Sequence, residues 1–189
     1  MFQISRRQVV YAGAGLCAAA AAMPATAETI VTPPLSAHLQ PFERFLGVWR
    51  GEGEGQPGKS SVERTYEVTL GGKFILVRNT SSYAPQEKNP KGEVHDDVGY
   101  MSFDKARKRL VLRQFNVEGF VNHYVAATAT IEGGGLIMNS EAIENIPAGW
   151  KARESYTFTG ADGFEEVFEL AEPGKAFEVY SHNRLKRVA

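Results

Sequence analysis

Phe45-Leu46-Gly47-Val48-Trp49-Arg50-Gly51-Glu52-Gly53-Glu54-Gly55 separates two kinds of pattern in this chain. Before it, Leu39, Phe42, Phe45 and Leu46 fall on one face of a short helical turn that begins near Ser36 and stops at Gly47. From Val48 onward no helical stretch of any length follows. Apolar and polar residues alternate there in short segments broken by turn residues, at the spacing that marks an all-β sandwich or barrel. Within the run, Gly51, Gly53 and Gly55 share one face of a strand and leave a strip without side chains. Such a strip admits a flat ligand or a neighbouring backbone, or it marks a bent, tightly coiled strand.

Working outward, the alternation predicts ten strands: 48–55, 60–69, 73–83, 94–104, 109–117, 120–131, 135–143, 150–159, 164–170 and 177–188. Gly71-Gly72, Glu118-Gly119, Gly133-Gly134-Gly135 and Ala161-Asp162-Gly163 supply hairpin chemistry between them. These connections are too short for crossover helices, so successive strands pair antiparallel in an up-and-down meander. Closing the sheet on itself removes its two exposed edges, which favours a barrel over a sandwich. A barrel of more than about eight strands has an interior wider than its side chains fill, which leaves room for a ligand.

The strand at 120–131 illustrates the interior. Phe120, Asn122, Tyr124, Ala126, Thr128 and Thr130 share one face, and Val121, His123, Val125, Ala127, Ala129 and Ile131 share the other. Neither face is uniformly apolar. The pattern suits a ligand-holding barrel or an ordinary core with a few satisfied polar groups.

The first 27 residues follow a different logic. Arg6 and Arg7 precede an apolar stretch from Val9 to Ala22, and Ala25-Thr26-Ala27 is a small-residue cleavage site, which together make a cleavable signal peptide. Ser5-Arg6-Arg7-Gln8-Val9-Val10 resembles the twin-arginine motif read by the pathway that exports folded proteins, and an ordinary export signal is the alternative. The apolar stretch is roughly half a membrane span, so no stable membrane insertion is expected after cleavage. Residues 28–35 read as a linker and 36–189 as one barrel domain, placed in the periplasm or secreted. Cys17 is the only cysteine and leaves with the signal, which excludes disulfides and multi-thiolate metal sites in the mature chain. Removing Arg6 and Arg7 leaves 19 basic groups (21 minus 2) against 22 acidic ones, a net charge of about -3, and excludes a nucleic-acid footprint.

Gly47-x-Trp49 at the start of the first strand resembles the signature of the calycins, the lipocalin and fatty-acid-binding barrels. In those folds the tryptophan seals one barrel end, often against a basic residue of the last strand. Here Arg184 or Arg187 is the candidate to stack on Trp49. The continuation through Gly51, Gly53 and Gly55 is similar to the opening of the nitrobindin-like haem-binding β-barrels, which are also ten-stranded. That resemblance implies haem b in the barrel, with iron held by a histidine on the final strand, a place that only His182 occupies. It also implies haem-dependent chemistry on reactive nitrogen species, of the peroxynitrite isomerase kind. Alternation groups His182 with Glu178, Tyr180 and Arg184, and Phe177, Val179, Ser181, Asn183 and Leu185 opposite, so the inward face decides its role.

His123 and Tyr124 are further cavity candidates, together with Gly51 and Gly53, and His123 is equally readable as a surface imidazole. His95 and Asp97 share a strand face that Asp96 does not, two metal ligands at most, and an exposed rim accounts for them. His38 lies before the barrel and reads as solvated. No thiol, nucleophile elbow or phosphate loop supports covalent catalysis, and Glu165-Glu166 alternate across their strand rather than forming a dyad. The polar loop 85–92 reads as a mouth flap or a surface excursion. The expectation is an exported barrel that binds haem or another hydrophobic small molecule, with a haem-dependent enzyme and a haem-free lipid or metabolite carrier as alternatives.

Overall fold

The computed structural model describes residues 33–127 and 134–188; the expected signal peptide and its expected cleavage site at Ala27 lie outside them, as do residues 128–131 of the sixth expected strand. A 3₁₀ turn at Gln40–Phe45 leads into ten strands: β1 Gly47–Gly55, β2 Gly58–Thr69, β3 Phe74–Tyr83, β4 Glu93–Asp104, β5 Arg109–Asn116, β6 Val121–Ala126, β7 Gly135–Glu144, β8 Lys151–Phe158, β9 Gly163–Ala171 and β10 Glu178–Arg187. Each pairs antiparallel with its sequence neighbours, and β10 returns to β1 to close the barrel. Among the described residues no helix is long and apolar enough to cross a membrane.

One end of the barrel is plugged. Pro41 starts the 3₁₀ turn, and its short amphipathic face buries Phe42 and Phe45 completely. Gly47 then turns the chain into β1 at φ 115, a backbone conformation glycine adopts without strain. Phe45 meets Tyr66, Tyr156, Phe158 and Phe164 with centroids 4.8–5.9 Å apart. Trp49 is fully buried and lies edge-on to Phe164 at 4.7 Å. Its indole nitrogen donates to the Phe45 carbonyl at 2.6 Å. Of the two candidate arginines, Arg187 covers the indole, its guanidinium carbon 4.1 Å from the ring centroid, and it donates to the carbonyls of Leu46 and Arg44. Arg184 is on the outer wall with Glu54 at 3.1 Å.

The glycine strip resolves as close approach of backbone. A Cβ on Gly51 would lie 1.8 Å from the Arg184 carbonyl oxygen, and one on Gly55 2.2 Å from that of Tyr180. Bare inward positions let β1 coil tightly against β10 where the sheet closes. At Gly53 the space is taken by the Asn183 and Ser60 side chains, 2.2 and 2.5 Å from a would-be Cβ. No glycine of the strip lines the cavity described next.

Candidate functional site

The other end of the barrel, where the β1–β2, β3–β4, β5–β6, β7–β8 and β9–β10 connections lie, opens into a cavity of about 410 Å³. Its mouth carries Tyr83, Glu93, His95, Glu118, Phe120 and Tyr180, with Phe168 and Leu170 on the wall. Its floor is a buried layer of charge and amide: Arg64, Asn79, Asp97, Asn122, Glu154, Glu166 and Asn183, all under 9% exposed. Below that layer begins the apolar plug.

Apart from the Tyr156–Glu154 pair, the floor is one hydrogen-bonded network. Arg64 donates from Nη2 to Glu166 Oε2 at 2.7 Å and from Nε to Asn79 Oδ1 at 3.1 Å. Asn79 and Gln114 donate to the two Asp97 oxygens at 2.9 and 3.0 Å. Asn183 adds a second donor to Glu166 Oε2 at 2.9 Å, and the Tyr156 hydroxyl donates to Glu154 Oε2. Asn122 donates to the Tyr124 hydroxyl at 3.1 Å and to Gln114 Oε1 at 3.4 Å. Among the described residues its own Oδ1 finds no donor, although the residue is 2% exposed.

The two inner glutamates are driven apart in protonation. Burial, reinforced by the negative charge of Glu166, pushes Glu154 up to about 8, so it is largely protonated at neutral pH. Burial would raise Glu166 as well, but the Arg64 charge and the hydrogen bonds from Arg64 and Asn183 hold it below the usual glutamate value. Asp97 is raised by burial against the opposing pull of Arg64, Gln114 and Asn79. Buried Tyr124 and Tyr156 are pushed well above the ordinary phenol value, chiefly by desolvation and then by Glu154.

These floor residues carry no recognisable motif, yet a local signal exists. Arg64 sits between Val62 and Tyr66, Glu154 between Ala152 and Tyr156, and Glu166 between Phe164 and Phe168. In these three strands the apolar residues at i−2 and i+2 carry the charge with them onto the inward face. Asp97, between His95 and Gly99, lacks that signal, and Arg113, between Val111 and Phe115, carries it yet faces outward to Glu141.

The histidines are distributed differently from the cavity. His182 is on the outer wall, its Nε2 3.0 Å from Glu165 and its Nδ1 3.1 Å from Arg184, while Ser181, Asn183 and Leu185 face inward. A bulge between Val179 and Ser181 turns both Tyr180 and Ser181 toward the cavity, so the uninterrupted alternation that grouped Tyr180 with His182 does not hold there. His123 faces outward and meets Glu144 at 2.6 Å. Tyr124 is fully buried beneath the floor as the hydroxyl partner of Asn122. The imidazole at the cavity belongs to His95, with Nδ1 2.6 Å from Glu118 and Nε2 3.7 Å from Asp97. Among the described residues no cluster of three His, Cys, Asp or Glu groups could hold a metal ion. Loop 85–92 stays outside the cavity, pinned by Gln86 to both backbone groups of Lys59 at 2.7 and 2.8 Å.

A family model described as a THAP4-like, heme-binding beta-barrel domain matches residues 38–187. In fold the chain is similar to Rv2717c from M. tuberculosis, with TM-score 0.65 and 18% identity over 82% of this chain and 99% of that one. It is also similar to the S-type phycobiliprotein lyase CPES from Guillardia theta, at TM-score 0.46 and 13% identity over 78% of this chain and 90% of that one. The first likeness shows the shared fold; the second is too distant to carry an argument. No curated protein matches the chain in sequence.

Proposed function

The chain belongs to the THAP4-like, heme-binding beta-barrel domain family, and from that premise we propose that it is a binding protein whose small-molecule ligand sits in the cavity at the open end of the barrel. The observation that carries this reading is the floor. Ionic and amide groups are buried beneath a cavity of about 410 Å³, within the ordinary size range for small-molecule sites. A cavity serving only to complete the fold would be lined like the plugged end, because burying charges and an undonated Asn122 oxygen costs stability that apolar side chains would not.

The residues present do not fit a histidine-ligated haem. Such a haem needs an imidazole nitrogen facing the porphyrin across a mainly apolar slot. His182 and His123 face away from the interior. His95 is bonded at Nδ1 to Glu118, and a ring on its Nε2 would lie against the buried Asp97 carboxylate. Among the described residues no histidine is placed for haem-dependent chemistry on reactive nitrogen species, and the protein acts as a carrier or sensor.

We also propose that the protein acts in the periplasm or outside the cell, after export through Arg6-Arg7 and cleavage at Ala27. Native mass spectrometry of the protein recovered from the envelope is expected to show a bound small molecule that denaturation releases. Titration with ferric haem is expected to give no histidine-type Soret shift. A haem band abolished by His95→Ala or His182→Ala would overturn the non-haem reading, and a recovered protein with no bound mass would count against ligand binding itself. A leader-reporter fusion should lose export in cells lacking the twin-arginine translocase; unchanged export there would defeat that assignment.

A further inference from the structure

Resting on the reading that the cavity binds a ligand, we propose that its ligand is a small organic cation: an amine or amidinium on a flat or apolar body, with the charged head toward Asn122 and the acids of the floor. The lining holds five carboxylates, Glu93, Asp97, Glu118, Glu154 and Glu166, against one guanidinium, Arg64, and one imidazole, His95. Arg64 is already neutralised by Glu166 at 2.7 Å and committed to Asn79. With Glu154 protonated and Glu166 paired to Arg64, Glu93, Asp97 and Glu118 remain against His95, and the low-dielectric wall concentrates their field on whatever enters. An anionic head would meet that field; a cationic head is drawn by it.

A second, independent observation is the Asn122 amide. Both of its bonds are donated, to Tyr124 and Gln114, which leaves Oδ1 a buried acceptor without a donor at the cavity floor. A buried acceptor is costly to leave unpaired, and an ammonium or amidinium N–H supplies what it lacks. Above it, Tyr83, Phe120, Phe168 and Tyr180 offer ring faces for the body of the ligand and for its charge. A fatty acid would bring its carboxylate to the acids, and a haem would bring two.

Benzylamine, benzoate and benzyl alcohol share one ring and differ in head charge, which makes them the test. Titration calorimetry with the folded mature protein is expected to show benzylamine binding at least about tenfold more tightly than either of the others, the factor that one charge-assisted contact provides. Asn122→Ala should reduce benzylamine affinity. Should that variant fold poorly, Glu93→Gln with Glu118→Gln at the exposed rim should weaken benzylamine and lessen its salt dependence while leaving benzyl alcohol unchanged. Benzoate or benzyl alcohol binding as tightly as benzylamine overturns the cation assignment and leaves the ligand-binding reading standing. Failure of all three to bind, together with a recovered protein carrying no mass, overturns both.

Discussion

The two ends of this barrel solve the problem of a wide interior in opposite ways. At the plugged end, Phe42, Phe45, Trp49 and Phe164 fill it with fully or almost fully buried rings, and the charges that meet it, Arg187 over the Trp49 indole and Arg44 over Phe158, donate to backbone carbonyls. At the open end a layer of Arg64, Asp97, Glu154 and Glu166 stops short of filling it and leaves about 410 Å³ above. The same alternation along the same strands produces both: on β2, Tyr66 faces the plug and Arg64, two residues earlier, faces the cavity. Apolar packing is concentrated at one end and open, polar-floored volume at the other.

The comparison is broken most severely at the plug. Trp49→Ala removes a fully buried indole, its Phe164 contact and its bond to Phe45, and should cost about 3–5 kcal/mol in chemical denaturation, with the cavity residues untouched. Next comes the floor. Arg64→Met leaves Glu166 buried without its partner and should cost about 3 kcal/mol, whereas Arg64→Met with Glu166→Leu should recover most of that loss, as replacement of a whole buried pair often does. If the single and double variants are equally unstable, the floor is not organised around that pair. Gly51→Ala should cost up to about 3 kcal/mol by forcing β1 from the Arg184 carbonyl, and comparable stability to the parent would contradict the closeness of that seam.

A smaller effect separates the two glutamates by pH. Glu154 titrates higher folded than unfolded, so its contribution is fully present below the unfolded glutamate value near 4.5 and is lost as pH rises from there to about 8. Glu166, held low, contributes in the opposite sense, present above the ordinary glutamate value and lost as pH falls through its folded value. Denaturation curves from pH 5 to 8 should therefore show Glu154→Gln flattening a decline toward high pH that the parent displays. Smallest of all, Glu118→Gln at the mouth should change stability by less than about 1 kcal/mol, because its His95 partner is partly solvated.

Strand order, closure and the Trp49 seal were legible because their causes are local. Turn glycines punctuate the strands, alternation sets their faces, and the Gly47-x-Trp49 pairing needs only a basic residue on the last strand, which proved to be Arg187. The cavity floor was less legible because a charged residue in a strand reads as solvent-facing by itself. Arg64 and Glu166 touch across 102 residues of sequence, and only the closed barrel brings them together. His182 shows the other source of error. Its family position suggested iron, but Ser181, Asn183 and Leu185 take the inward face and alternation then sends His182 outward; the bulge at Val179 and Ser181, which no sequence signal marks, moves only Tyr180.

The glycine seam also sets an order of events. Strands β1 and β10 lie some 130 residues apart along the chain, so their pairing is the most entropically expensive closure in the molecule and belongs late in folding. Until it forms, Asn183 on β10 is not seated against Gly53, Arg64 on β2 does not meet Glu166 on β9, and the cavity has no complete wall. A ligand that recognises only the finished barrel therefore cannot hasten its assembly. It acts as a latch, slowing the reopening of the seam and lengthening the lifetime of the native state.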